Sequence, residues 1–463
     1  MLLSFPEDPV LALHTTHRGP SRRDVLAIGA FGGAFTLVDQ LRAAPGSESL
    51  SKAAIHIVLA GGPSHLDMYD MKPEAPVEVR GEFRSIPTTV PGVRICELMP
   101  KQARMWEKFA VIRSVVTRSG HDDAEISTGY NETVARNSSR PSFGSVMSKV
   151  LGPNRPGVPP TISLRPKLWA GNPAFDFGNE PGFLGPGHRA FTPDGPGTSI
   201  SYEFPRSAQN CVSLKPPAGV SLESVQDRRA LLTTFDRMRR DLDASGRLAG
   251  MDAVTARAFE IMTSSDLRNA LDLSKESPAT RDRYGANFFY DYPGRQKMEV
   301  NYGAQALAAR RLIEAGAGCV TIGFGNWDTH ENNFRHLRRQ LPPLDSAVSS
   351  LVEDLHDRGL ENDVAVVIWG EFGRTPIINK DAGRDHWGPV MSAVVAGGGF
   401  KTGQAIGKTD PRGERPVTRP YKVSHVLSTL YRAVGIDPSM SLQEPGGRPV
   451  PLLDEYDVVR ELI

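Results

Sequence analysis

The segment DVAVVIWGEFGRTP, residues 363–376, decides the fold. Val364 to Trp369 are apolar without a break. A strand with no polar face must be covered on both sides, which is the situation inside a parallel sheet flanked by helices. The run stops at Gly370 and gives way to Glu371 and Arg374. In such sheets ligands bind beyond the carboxyl ends of the strands, so ionisable groups there form a candidate site.

The same grammar recurs outward along the chain. AAIHIVLAGGPSHLD (53–67), FAVIRSVVTRSGHDD (109–123) and CVTIGFGNWDTHENN (319–333) each run from an apolar stretch into a polar cluster. Strands are expected near 55–60, 109–116, 318–324, 363–369 and 390–396, with a short one in PPTISLRP (159–166). Helical spacing is predicted over 97–109, from about Ala124, over 142–152 and 303–318, and on to about His356. Strand, polar loop and helix alternate, which implies an α/β fold with a mostly parallel sheet. Residues 170–215 are rich in Gly, Pro and Asn and are expected to be an insertion with little regular structure. Residues 221–275 read as helical with solvated, highly charged faces.

The 54 basic and 53 acidic residues nearly cancel, so nothing points to nucleic acid as a partner. Three cysteines make no disulfide framework and stand in no metal-ligand spacing. Cys319, inside a strand-like run, is expected to be a buried small hydrophobe. Arg22 and Arg23 precede a short Gly-rich apolar stretch that ends in small residues at Ala43 and Ala44. This is the layout of a twin-arginine export signal over residues 1–44. It predicts the export machinery as a partner, a periplasmic or secreted destination, and a single domain over 45–463. No other apolar run approaches about 20 residues, so the mature chain is expected to have no transmembrane segment.

The polar clusters at the strand ends span 61–70, 117–128, 325–333 and 370–388. They supply Ser64, His65 and Asp67; Ser119 and His121; Asp328 and His330; Glu371, Arg374 and His386. Carboxylates with imidazoles suit a divalent cation: zinc first, with manganese or calcium as alternatives. Such an ion activates water or a hydroxyl and polarises a phosphoryl or sulfuryl oxygen. Arg374 is expected to clamp an oxyanion through its planar fork. An Asp or His after a strand often only caps a helix or orders a loop; four clusters at one sheet edge argue against that bland explanation. His188, His336, His356 and His425 read as surface or packing residues, and His56 as a core histidine.

Long co-linear strings then carry a resemblance: GGPSHLDMYDMKPEAPVEVRGEF, RPSFGSVMSKVLG, WDTHENNF, WGEFGRTPIIN, GRDHWG and AGGGFKTGQAIGKTD. Over residues 52–437 the chain resembles the bacterial family known as domain of unknown function 1501. That family is placed in the alkaline-phosphatase and sulfatase superfamily, which implies an α/β/α sandwich and one or two divalent cations beside a Ser, Thr or formylglycine nucleophile. Asp328 and His330 look like the superfamily's metal pair at shorter spacing, and His386 like its late metal-binding histidine. Glu371 stands where an Asp-His pair is usual, with Phe372 in place of the His. Gly61 and Gly62 stand where metal-dependent members carry an Asp, and Asp67 or His65 is expected to substitute for it. No Cys-x-Pro-x-Arg occurs, which argues against a formylglycine sulfatase and leaves Ser64, Ser119, Ser127 and Thr128 competing as nucleophile. The resemblance implies an exported metal-dependent hydrolase of phosphate or sulfate esters, on small molecules or polysaccharides. The alternative is a cell-envelope binding protein that keeps the fold without the chemistry.

Overall fold

The apolar run at 364–369 is buried at every position, and its alternate residues enter two different cores. Val364, Val366 and Ile368 face one; Ala365, Val367 and Trp369 face the other. This follows from the period of two along a strand: a sheet covered on both faces needs apolar residues at odd and even positions alike. Burying one such side chain is worth roughly 1.5–3 kcal/mol.

The computed structural model describes residues 52–118, 120–121, 123–165, 177–193, 258, 260–285, 288–290, 298–325 and 327–463. The export signal expected over 1–44, residues 221–257 of the helical stretch, and much of the 170–215 insertion lie outside these. Residues 50–463 form one compact unit.

Among the described residues, eight strands make the central sheet. They are β1 (Ala53–Leu59), β2 (Phe109–Val116), β3 (Thr161–Ser163), β4 (Cys319–Phe324), β5 (Val364–Trp369), β6 (Met391–Gly397), β7 (Gln404–Ile406) and β8 (Tyr421–Lys422). Their order is β7-β2-β6-β5-β1-β4-β3, with β8 also paired to β2. Every pairing is parallel except the two made by β6. The expected strands therefore form, in one mostly parallel sheet.

Helices α1 (Phe143–Val150) and α4 (Val423–Ala433) pack on the core that holds Trp369. Helices α2 (Tyr302–Ala315) and α3 (Asn333–Asp357) cover the opposite core. The result is an α/β/α sandwich. Gly316, left-handed at φ 114°, stops α2 where the sequence places glycines. Helix α3 runs through Pro342 and Pro343, each lacking an N–H for the ladder. The helix expected over 97–109 is instead a single turn, Pro100–Ala103, and a 3-10 turn, Trp106–Lys108. The Trp106 N–H goes to Thr89 Oγ1 at 3.1 Å instead of to a helical carbonyl, which breaks the ladder before β2 begins at Phe109. Residues 177–193 hold short 3-10 turns and a parallel bridge from Phe191 to Ile162 of β3. Cys319 is fully buried, and burial pushes its thiol up to about 12. Among the described residues, no helix is long and apolar enough to cross a membrane.

His56 is a core histidine. It accepts a hydrogen bond from the Trp369 indole N–H, and burial, with the Arg165 charge adding to it, holds its pKa down to about 3. The unfolded chain, with an ordinary imidazole near 6.5, takes up this proton first. Stability from this site is therefore full above pH 6.5 and is lost as pH falls from 6.5 towards 3, at up to about 1.4 kcal/mol per pH unit. The His56→Gln variant keeps an acceptor for Trp369 but cannot titrate. Urea denaturation at several pH values should show a flatter acid limb for His56→Gln; identical slopes in both proteins would contradict this account.

Candidate metal centre

The carboxyl ends of β1, β2, β4 and β5 point to one edge of the sheet, because these strands are parallel. Antiparallel β6 starts at that same edge, so the loop entering it arrives there too. That geometry gathers His121 after β2, Asp328 and His330 after β4, Glu371 and Arg374 after β5, and His386 before β6.

Asp328 is the hub. Trp327, buried just before it, anchors the turn by donating its indole N–H to Phe324 O at 2.9 Å and its backbone N–H to Ala60 O at 3.1 Å. His386 Nε2 and His330 Nε2 each lie 3.0 Å from Asp328 Oδ1, and 3.0 Å from each other. His121 Nε2 lies 3.2 Å from Oδ2. Ligand atoms of His121, Asp328 and His386 all fall within 4.8 Å of one another. Burial alone would raise the Asp328 pKa. Hydrogen bonds from His121, His386 and Arg374, with the Arg374 charge, outweigh that and hold it well below the usual carboxylate range.

The set fits a divalent cation on its own chemistry. Asp385 Oδ1 lies 2.7 Å from His330 Nδ1. A carboxylate accepts, so in the neutral imidazole Nδ1 is the donor and Nε2 is left with the lone pair. That lone pair stands 3.0 Å from the ionised Asp328 Oδ1. Two acceptors at that distance repel unless a proton or a cation lies between them. Donor atoms about 3–3.5 Å apart are also what tetrahedral coordination at about 2.0–2.1 Å produces.

Glu371 and Arg374 do not face this open space. They grip the Gly61-Gly62 turn that ends β1. Glu371 Oε2 accepts the N–H groups of Gly61 and Gly62, each at 2.9 Å. Arg374 donates to Gly62 O at 2.8 Å, to Gly61 O, to Arg384 O at 2.9 Å and to Asp328 Oδ1 at 2.7 Å. Both side chains are buried. Burial raises the Glu371 pKa against these hydrogen bonds. Burial lowers that of Arg374 while Asp328 pushes it back, and a guanidinium stays charged throughout. Arg374 also pairs with His386 in a short antiparallel ladder, Gly373–Arg374 against His386–Trp387, so both reach Asp328 from one side. Phe372 lies under the imidazoles, its ring centroid 4.2 Å from that of His386 and 5.3 Å from that of His121.

The family model described as "Protein of unknown function (DUF1501)" matches residues 51–463. The chain belongs to the DUF1501 family. The match runs to the C-terminus, beyond the residues whose strings carry the resemblance in sequence. No curated protein sequence matches it. Among solved structures the chain is similar to a sulfatase from Pseudoalteromonas sp. at 12% identity and TM-score 0.36, covering 90% of this chain and 72% of that one. It is similar to the lipoteichoic acid synthase LtaP of Listeria monocytogenes at 8% identity and TM-score 0.35, covering 90% and 80%. It is similar to a phosphonate monoester hydrolase from Silicibacter pomeroyi at 11% identity and TM-score 0.32, covering 83% and 73%. Likenesses this loose do not bear on what a DUF1501 chain does.

The remaining expected site residues lie elsewhere. Asp67 does not substitute for the Asp missing at Gly61-Gly62. It is buried and accepts from Arg384 Nε at 2.8 Å, Arg384 Nη2 at 2.9 Å and Asn333 Nδ2 at 2.9 Å, which engages both oxygens. His65 is buried with Nε2 donating to Gly413 O at 2.9 Å, and burial, only partly offset by the Asp70 charge, lowers its pKa. Ser64 and Ser127 are each 1% exposed, and among the described residues neither hydroxyl has a hydrogen-bond partner, a base included. Thr128 donates to Ala124 O at 2.7 Å, as a helical threonine does. Ser119 lies outside the described residues. Asp385, the neighbour of His386 in GRDHWG, joins the site through His330 Nδ1.

Proposed function

We propose that this protein is an exported metal-dependent hydrolase of phosphate or sulfate esters, with polysaccharide esters the favoured substrates. One observation carries the reading: three imidazoles and one ionised carboxylate converge at the carboxyl edge of a parallel sheet. His121, Asp328, His330 and His386 hold the cation, zinc first and manganese or calcium next. Bound there, the ion supplies a Lewis acid for the ester oxygens and for water. Arg374 is a positioning residue, fixing the Asp328 carboxylate by a charge-assisted bond. Glu371 holds the Gly61-Gly62 turn on which Asp328 rests. Asp385 sets the His330 tautomer, a carboxylate–imidazole pairing that metal sites use to orient a ligand.

The test is a screen of phosphate and sulfate esters with the metal-loaded protein and its chelator-treated control. Turnover that the chelator abolishes is expected. No turnover above the control on any ester would hand the fold to the binding-protein alternative, in which the same cleft holds an anionic ligand without cleaving it. Export rests on Arg22 and Arg23; a double lysine variant should stay in the cytoplasmic fraction, and unchanged export would remove that element.

A further inference from the structure

The Arg374 guanidinium is buried and fully engaged, so it does not meet substrate charge. Arg415 is exposed, and among the described residues it forms no ion pair. Its neighbours Arg412 and Glu414 pair with each other at 2.7 Å, which leaves its charge unneutralised. Its backbone is held: the Asp410 carboxylate accepts the N–H groups of Arg412 at 2.8 Å, Glu414 at 3.1 Å and Arg415 at 2.7 Å. Arg415 lines an open cleft of about 470 Å³ together with Thr117, Gly388, Pro389, Pro416 and Pro420.

That cleft adjoins the metal centre through covalent and hydrogen-bonded links. Gly388 lies two residues beyond His386, and Thr117 four before His121. Thr117 N donates to Gly388 O at 3.0 Å, and its hydroxyl lies 2.9 Å from Glu371 O. The Trp387 indole N–H donates to Glu414 O at 2.8 Å, which ties the Arg415 loop to the residue after His386. The volume exceeds what one sulfate or phosphate group fills. Rigid proline walls offer flat apolar faces, and the single guanidinium offers a fork for a tetrahedral anion.

We propose that this cleft is a subsite for an anionic sugar unit next to the scissile ester, recognised by Arg415. The proposal deepens the hydrolase reading and rests on it for its role in turnover, but binding itself needs no metal. The experiment is calorimetric titration of the chelator-stripped full chain with a sulfated dextran oligosaccharide, its phosphorylated counterpart and the unmodified oligosaccharide. Either charged form should bind at least about tenfold more tightly than the neutral one, and Arg415→Ala should lower that affinity by about tenfold or more. Arg415→Lys should retain part of it. Arg338→Ala, which removes a surface cation paired with Glu82, should bind as wild type does. Equal affinity of wild type and Arg415→Ala, or of charged and neutral sugars, overturns the subsite. Arg415-dependent binding with no ester turnover on any metal keeps the subsite and removes the hydrolase; turnover with Arg415-independent binding does the reverse.

Discussion

Replacing Arg374 with alanine should destabilise the fold by about 3–5 kcal/mol, the usual cost of breaking a buried ion pair from one side. The side chain is fully buried and makes four hydrogen bonds, three to backbone carbonyls and one to Asp328. Its loss leaves the Gly61, Gly62 and Arg384 carbonyls unpaired and Asp328 without its fixed counter-charge. Arg374→Lys should recover little, because one ammonium cannot span four acceptors set in a fork. Urea denaturation measures this directly. A variant of wild-type stability that has lost only turnover would restore the anion-clamp role that the sequence alone suggests.

Gly61→Ala should be almost as damaging. Gly61 has φ 109°, a conformation that side chains rarely adopt, and a methyl there would lie 2.5 Å from the Asp328 backbone nitrogen. Conformational strain of roughly 1–3 kcal/mol and overpacking of roughly 1–3 kcal/mol both apply. Gly92→Ala separates the two, since Gly92 has φ 81° but nothing within 4 Å of the added methyl. Gly61→Ala is expected to lose the larger part of 2–6 kcal/mol, roughly the sum of those terms, and to weaken metal binding because Asp328 must move. Equal melting temperatures for the two variants would show that the close approach to Asp328 carries no weight.

Sequence made the scaffold legible because a doubly covered strand needs no periodicity to be recognised. The runs at 53–59, 109–116, 319–324 and 364–369 are apolar on both faces or nearly so. The polar clusters that follow them could be placed at one edge by topology alone. Residue type was enough to nominate His121, Asp328, His330 and His386, since imidazoles beside a carboxylate have few other reasons to collect there. Direction was not legible. Glu371 and Asp328 each follow a strand, yet one turns back to two backbone N–H groups and the other faces the imidazoles. Arg374 looked like a substrate ligand because its buried acceptors, Gly61 and Gly62, lie more than 300 residues earlier. Asp67 likewise hides its partner Arg384, 317 residues away. Side chains that close a fold across such separations cannot be told from side chains that meet a substrate until the backbone is placed.

Metal content of the purified protein tests the central claim most directly. After dialysis against zinc and then buffer, wild type should hold about one ion per chain by elemental analysis. The His330→Ala/His386→Ala variant, folded as judged by circular dichroism, should hold none. Stoichiometric metal retained in the double variant, or none taken up by wild type from zinc, manganese or calcium, would contradict the account.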